Sequence, residues 1–102
     1  MTQENRVVLR GTLAELDALR YTPAGIPIVR FRLHHQSAQM EAGVERKVEC
    51  EIGAVAFERE ARLVAAAKLG SDVKVTGFLA AKSRAGKTPE LHATAIEFVQ
   101  GE

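Results

Sequence analysis

The stretch that decides the fold is "GIPIVRFRLHHQS", residues 25–37. Apolar and basic side chains alternate along its centre: Val29, Arg30, Phe31, Arg32, Leu33, His34. Because successive side chains of a β-strand point to opposite faces, this alternation predicts a half-buried strand. One face suits a protein core, and the other presents a row of cations.

Four further segments show a strand pattern: residues 6–16, 46–52, 72–82 and 90–99. Gly11 lies inside the first of them and predicts a bulge or a sharp bend. In "RKVECEI" the alternation places Val48, Cys50 and Ile52 inward. Residues 37–45, "SAQMEAGVE", read as a loop. The chain therefore carries five predicted strands.

One segment breaks the alternation. "AVAFEREARLVAAAKLG", residues 54–70, is rich in good helix formers. Phe57, Ala61, Val64 and Ala65 follow the helical period, so Phe57 is predicted to face the core from the helix. Gly70 stands where a C-terminal cap is expected. The remaining phenylalanines, Phe31, Phe78 and Phe98, are interpreted as structural.

The order of three strands, a helix and two strands predicts the fold class. It is all-β, a five-stranded OB-fold barrel with one short α-helix between strands 3 and 4. Residues 1–102 are expected to form a single domain. In this fold a ligand lies across strands 2 and 3, flanked by the loops that join strands 1–2 and 4–5.

The distribution of charge points to a polyanion at this face. The formal net charge is only +1, yet no acidic residue occurs between Asp17 and Glu41 or between Asp72 and Glu90. Seven basic residues lie in these two windows: Arg20, Arg30, Arg32, Lys74, Lys82, Arg84 and Lys87. If the fold joins the windows, the molecule has a locally positive face. Chance clustering on solvated strands is the alternative.

Other features limit the function classes. There is no apolar run long enough to span a membrane and no signal-peptide pattern, so a cytoplasmic protein without membrane contact is expected. The single cysteine, Cys50, cannot form an internal disulfide. His34 and His35 are adjacent in a strand and face opposite sides, and no zinc spacing accompanies them, so neither a metal nor a cofactor is predicted. His35 is expected to be partly buried and hydrogen-bonded. No nucleophile–base set or phosphate-binding loop is present, so an enzyme is not predicted.

A single-stranded nucleic acid is the polyanion that this fold and charge pattern favour. The predicted contacts come from the strand 2 face, from strand 3, from the polar tip "KSRAGK" and from the loop before strand 2: Arg20, Tyr21, Arg30, Arg32, His34, Arg46, Lys47, Lys82, Arg84 and Lys87. The cations would contact phosphates without reading bases. Tyr21 is the one aromatic residue interpreted as a platform for base stacking, with a loop-anchoring ring as its alternative.

Several motifs together resemble the primosomal replication protein N (PriB) family. They are "RVVLRGT" at 6–12, "PAGIP" at 23–27, "F.L.H" at 31–35, "EAG" at 41–43, Cys50, "GF" at 77–78 and "LHA..IE" at 91–97. The resemblance implies a homodimeric OB-fold protein of bacterial replication restart. Such proteins bind single-stranded DNA without sequence preference and assist the primosomal helicase and other primosome proteins. It also implies that Arg20, Arg46, Lys82, Arg84 and Lys87 contact DNA.

Departures from the family leave an alternative open. The best-known member of that family has aromatic residues on the strand 3 side where this chain has Val44 and Glu49, and a basic residue where Gln36 stands. An added anion and the loss of rings weaken a grip on DNA. The alternative is a protein-interaction OB module that docks the helicase with only weak residual DNA binding. General coating of single strands and cold-shock-type RNA binding are further interpretations of the same fold.

Overall fold

The secondary structure follows the predicted order of strands and helix. The computed structural model describes residues 1–99. Within these residues it has six strands and one helix: β1 (Val7–Leu16), β2 (Arg20–Tyr21), β3 (Pro27–Glu41), β4 (Val44–Phe57), α1 (Glu58–Ala65), β5 (Asp72–Ala81) and β6 (Pro89–Phe98). The five longer strands correspond to the predicted ones, and β2 is an addition. The helical part of this range lacks the length and apolar content of a bilayer-spanning segment.

The strands close into a barrel because β1 pairs with two different neighbours. Its first half, from Val7 to Thr12, is antiparallel to β5, and its second half, from Thr12 to Leu16, is antiparallel to β3. β3 pairs with β4, β4 pairs in parallel with β6, and β5 pairs with β6. This closed barrel, with one short helix between β4 and β5, confirms the predicted OB-fold.

β1 changes neighbours next to Gly11, the residue for which a bulge or bend was predicted. A Cβ atom at this position would lie 2.3 Å from the carbonyl oxygen of His34, so only glycine lets the two backbones approach this closely. The register of β1 against β3 also shifts between Leu13 and Glu15, which marks a bulge. These features let β1 curve from one side of the barrel to the other.

The core consists of inward side chains from every long strand. Its buried members are Leu13, Val29, Phe31, Leu33, Ala54, Ala56, Ala61, Val64, Val73, Val75, Leu91, Ala93 and Ile96. α1 packs against β3, β4 and β6, and its buried Ala61 and Val64 cover one end of the barrel as predicted. Strand alternation then leaves the basic side chains of β3 on the outer surface.

The β3–β4 hairpin is longer than predicted, and the prediction of a loop at residues 37–45 is wrong. The two strands pair without interruption as far as Glu41 opposite Val44, so only Ala42 and Gly43 form the turn. Both turn residues have positive φ angles, 52° and 79°, as tight two-residue hairpin turns require. The outer part of this ribbon exposes both faces, and polarity therefore does not alternate along it as it does in a half-buried strand.

The inward placement of Cys50 is also wrong, because this thiol is exposed. Cys50 lies opposite His35, and the pairing of β1 with β3 ends one residue earlier, at Thr12 opposite His34. Beyond that point no strand of residues 1–99 covers the ribbon. Cys50 does lie on the same side of β4 as the core residues, but the core ends before it reaches Cys50.

The helix is shorter than predicted at both ends. Residues 54–57 continue β4, because all four pair with β3 and residues 54–56 also pair with β6, and this pairing overrides their helix propensity. The prediction that Phe57 faces the core from the helix is therefore wrong, since Phe57 ends β4 and is exposed. The helix ends at Ala65, and Gly70, with a φ of 85°, belongs to a later turn rather than to the helix cap.

Candidate nucleic-acid interface

The outer face of β3 carries the row of polar residues that opened the sequence. Arg30, Arg32, His34 and Gln36 point outward in alternation with buried Val29, Phe31 and Leu33. The residues of β4 that pair with this row are Val55, Gly53, Glu51 and Glu49, in the same order. Two of these partners are carboxylates, so the outer face of β3 and β4 carries cations and anions side by side.

Cross-strand ion pairs join the outer half of this row. The Arg32 Nε donates a hydrogen bond of 3.3 Å to the Glu51 Oε1. The two ring nitrogens of His34 lie 3.1 Å from the Glu49 Oε2 and 3.4 Å from the Glu51 Oε2. The Gln36 Nε2 donates to the Glu49 Oε2 at 3.3 Å. Each side chain of the row from Arg32 outward thus contacts a carboxylate of β4.

Arg30 contacts a carboxylate from another strand. Its Nε lies 3.0 Å from the Oε2 of Glu90, which is the second residue of β6. The Glu90 side chain is only 5% exposed, whereas that of Arg30 is 45% exposed. We call the contacts of Arg30, Arg32 and His34 with Glu90, Glu51 and Glu49 the ion-pair row, in which the His34 contact is an ion pair only when the imidazole is protonated.

The ion-pair row corrects the prediction of a row of free cations. The two windows contain no acidic residue along the sequence, but acidic residues of other strands lie beside them in the folded protein. Strand pairing of β3 with β4 places Glu49 and Glu51 beside the outer residues of the row, and Glu90 of β6 reaches Arg30 through its side chain. Paired charges of opposite sign largely cancel at the distance of a bound phosphate. The locally positive surface must therefore come from other cations.

A cleft nevertheless brings the two basic segments together. It has a volume of about 150 Å³, and its lining includes Arg30 and Arg32 from β3 and Lys82, which follows β5. Three carboxylates also line it: Glu15, Asp17 and Glu90. Arg20 lies in an adjoining depression that it shares with Arg30 and Asp17. The lining of the cleft thus carries as many acids as bases.

Five of the predicted contact residues have no carboxylate within 4.0 Å among residues 1–99. They are Arg20, Lys47, Lys82, Arg84 and Lys87, and all are exposed. Three of them belong to the β5–β6 hairpin, whose base is closed by a hydrogen bond of 2.9 Å from the Lys82 N–H to the Thr88 carbonyl oxygen. These five side chains can contact phosphates without first breaking an ion pair with a carboxylate.

Arg46 and Lys47 lie on opposite faces of the protruding β3–β4 ribbon, because they are consecutive in β4. Lys47 shares its face with Glu49 and Glu51 and extends the row outward. The Arg46 Nε lies 2.6 Å from the Glu41 Oε1 on the other face. Of the two, only Lys47 continues the surface that contains Arg32.

Tyr21 is 61% exposed, but it does not share the side of Arg20. The two residues are consecutive in β2, so their side chains point to opposite sides of that strand. A base could reach Tyr21 only if the bound strand passed around the edge of β2. Its interpretation as a stacking platform stays a prediction.

The histidine adjacent to His34 has the structural role expected of it. The His35 Nδ1 lies 2.6 Å from the Arg10 carbonyl oxygen and its Nε2 lies 2.8 Å from the Ser37 Oγ. Within the described part of the chain, no group of three or more His, Cys, Asp or Glu side chains is arranged to hold a metal ion.

One feature of the outer surface was missed by sequence reasoning. His92 of β6 stacks between Phe78 of β5, at 5.0 Å between ring centroids, and Phe57 of β4, at 6.2 Å. We call these three residues the ring cluster. The only signal in the sequence is that Phe78 follows a glycine within an alternating strand. The strand register that places Phe78 beside His92 cannot be predicted from that pattern.

Comparisons with known proteins are consistent with this fold and surface. Residues 5–95 match a family described as "Another single-strand binding protein family". The replication restart protein PriB of Nitrosomonas europaea is 42% identical over 88 residues, which cover 86% of this chain and 82% of that protein.

Solved structures extend the comparison. The protein PriB of Ralstonia solanacearum superposes with a TM-score of 0.87 at 35% identity, covering 94% of this chain and 98% of that one. The small single-stranded DNA-binding protein of Streptomyces coelicolor has a TM-score of 0.75 at 20% identity, over 96% of this chain and 94% of that one, and it supports the fold alone. By sequence and structure together, the chain belongs to the PriB family of OB-fold single-stranded DNA-binding proteins.

Proposed function

We propose that this protein binds single-stranded DNA without sequence preference, as an accessory protein of the primosome in replication restart. The observation that carries the proposal is the set of unpaired cations, Arg20, Lys47, Lys82, Arg84 and Lys87, around the OB-fold ligand face. The name of the relatives, replication restart protein PriB, supports the cellular role. Binding through phosphates gives affinity without sequence preference.

The proposed path of the strand runs from Arg20 across the cleft to Lys82 and the tip of the β5–β6 hairpin. Arg30, Arg32 and His34 lie beneath this path, but their carboxylate partners reduce what they contribute. Lys47 and Arg46 would meet a strand that continues along the ribbon. Tyr21 would stack on a base at the far end. Because the chain has one tyrosine and no tryptophan, quenching of its intrinsic fluorescence would report that contact alone.

The experiment is a salt titration of binding to a fluorescent oligonucleotide. If about four phosphates are neutralised, a plot of log affinity against log salt has a slope of roughly −3. Replacing Lys82 and Lys87 by alanine should weaken binding to oligo(dT) and to mixed sequences about equally, and should make the slope less steep by about 1.4. An affinity that does not respond to salt would contradict the proposal.

The second candidate function is a protein-interaction module that docks the primosomal helicase and binds DNA only weakly. The ion-pair row favours it, because three of the predicted contact residues already have anionic partners. Measuring the DNA and helicase affinities at the same salt concentration separates the two functions. DNA binding much tighter than helicase binding would exclude the second.

We also propose a homodimer in the cytoplasm, without enzymatic activity. The first residues of β1, from Val7 to Gly11, pair with β5 on one side, and no strand within residues 1–99 pairs with their other side. Such an edge can pair with the same edge of a second copy. Sedimentation of the protein without DNA should give twice the monomer mass.

A further inference from the structure

The ring cluster lies on the outside of the barrel. Phe78 pairs with His92 across β5 and β6, and His92 pairs with Val55 across β6 and β4. Paired residues of neighbouring strands project to the same face of a sheet. Val55 itself pairs with Arg30, which lies on the outer surface of β3. The row Arg30, Val55, His92 and Phe78 therefore crosses four strands on one outer face.

The rings keep surface available for another molecule. Phe57 and Phe78 remain 37% and 39% exposed, although each stacks on His92 with interplanar angles of 25° and 15°. Val55 is completely buried on this outer face and does not belong to the barrel core. The outer face here is thus an apolar and aromatic patch that includes the buried Val55, unlike the ion-pair row beside it.

Cations flank the patch on two sides. Arg30 is the next outward residue across β4, and Lys82 follows the end of β5, four residues after Phe78. At about 3.3 Å per residue, the chain from Phe78 to Lys82 spans at most about 13 Å. Exposed rings beside an unpaired cation complement a chain in which planar bases alternate with phosphates.

We propose that the ring cluster is a base-stacking site for single-stranded DNA, in which a base stacks on the outer ring face of Phe78 or of Phe57 and His92, between them, supports both rings. This inference rests on the proposed function and adds a second contact class to it. The occupant is one or two unpaired bases of the strand whose phosphates meet Lys82. Stacking on a ring is tolerant of sequence, because every base has a π-face.

The experiment compares Phe78→Leu with the unchanged protein on two probes, oligo(dT) and an abasic oligonucleotide of the same length. Leucine keeps an apolar side chain but removes the ring. Affinity for oligo(dT) should fall about 5- to 100-fold, while affinity for the abasic probe and the salt slope should stay the same. Phe57→Leu, at the other end of the cluster, should show a smaller loss of the same kind.

Two further variants make the result specific. Phe98→Leu removes another exposed ring of β6, on a groove beside α1, and should leave both affinities unchanged. Lys82→Ala should lower the affinity for both probes. Photocrosslinking with 5-iododeoxyuridine in the oligonucleotide should label peptides that contain Phe78 or His92.

The outcomes separate this inference from the proposed function. If Phe78→Leu and Phe57→Leu bind oligo(dT) like the unchanged protein while Lys82→Ala binds weakly, the DNA-binding function stands and the stacking site is wrong. If these ring variants change only the sedimentation of the protein, the cluster is a protein contact and the inference is also wrong. If the unchanged protein binds neither probe at low salt, the proposed function is wrong, and so is the stacking site that rests on it.

Discussion

The Nε of Arg30 donates a hydrogen bond of 3.0 Å to the Oε2 of Glu90, a side chain that is almost entirely buried. This pair joins β3 to β6, two strands that do not pair with each other directly. Arg30 therefore neutralises a buried carboxylate before it can serve any ligand. A residue that the sequence assigns to DNA is at least partly a structural residue.

Replacing Arg30 by methionine tests this role. The variant leaves the buried Glu90 carboxylate without its partner, which should lower the free energy of unfolding by about 1–3 kcal/mol. Arg32→Met breaks a comparable pair with the exposed Glu51 and should cost less than about 1 kcal/mol. The double variant Arg30→Met, Glu90→Leu should recover most of the loss. Urea unfolding followed by circular dichroism measures all three, and equal small losses for both arginines would contradict the assignment.

The ion-pair row predicts that acids of β4 oppose DNA binding. Glu51 contacts both Arg32 and His34, so Glu51→Gln keeps the size of the side chain and frees two basic groups for phosphates. Affinity for oligo(dT) at low salt should rise by about 2- to 5-fold, the size expected for one exposed pair. Fluorescence anisotropy measures it.

The matched control is Glu97→Gln. It removes the same charge from a cross-strand pair with Lys74, 4.0 Å away on β5 and β6. A gain of equal size in both variants would show that only net charge matters and that the row has no local effect. A loss of affinity in Glu51→Gln would show that the carboxylate positions Arg32 for DNA.

The barrel was predictable because each half-buried strand alternates in polarity over the part that covers the core. That signal gave five strands, the position of the helix between the third and fourth, and the outward direction of Arg30, Arg32 and His34. It failed where a strand has no core beneath it, as at Cys50, and where pairing on both sides overrode helix propensity, as at Phe57.

The contact residues of the candidate site stay a prediction, and the sequence could not show their partners. Arg30, Arg32 and Lys82 do line one cleft, but the partners of each cation depend on strand register. Glu90 is 60 residues from Arg30 in the chain, and no sequence pattern in either segment predicts their contact. The ring cluster was missed for the same reason, because His92 meets Phe57 and Phe78 through two separate strand pairings.

Gly77 fixes the register on which the ring cluster depends. A Cβ atom at Gly77 would lie 1.8 Å from the carbonyl oxygen of His92, at the point where the pairing of β5 with β6 shifts. Gly77→Ala should therefore lower the free energy of unfolding by about 1–3 kcal/mol or more, because backbone must move. Gly53→Ala is the control, since the nearest atom to its Cβ would be the Arg32 Nη1 at 3.7 Å, an ordinary contact. Thermal unfolding of both variants decides the matter, and equal melting temperatures would contradict the close approach.

The pair of Arg10 and Asp72 predicts a pH dependence of stability. Arg10 donates two hydrogen bonds to the Asp72 carboxylate, at 3.2 and 2.7 Å, and this contact holds the pKa of Asp72 below its ordinary value. A carboxylate whose pKa is lower in the folded state stabilises the protein above its unfolded pKa, which is about 3.9. That contribution is lost as the pH falls through the lower folded pKa.

Asp72→Asn should therefore bring the unfolding midpoint in urea close to that of the unchanged protein at strongly acidic pH, and lower it near neutrality. The difference should be small, because both side chains are exposed. Arg10→Met should show the same dependence, since it breaks the same pair from the other side. A difference between Asp72→Asn and the unchanged protein that stays constant from pH 7 to strongly acidic pH would mean that the contact with Arg10 does not lower the pKa of this carboxylate.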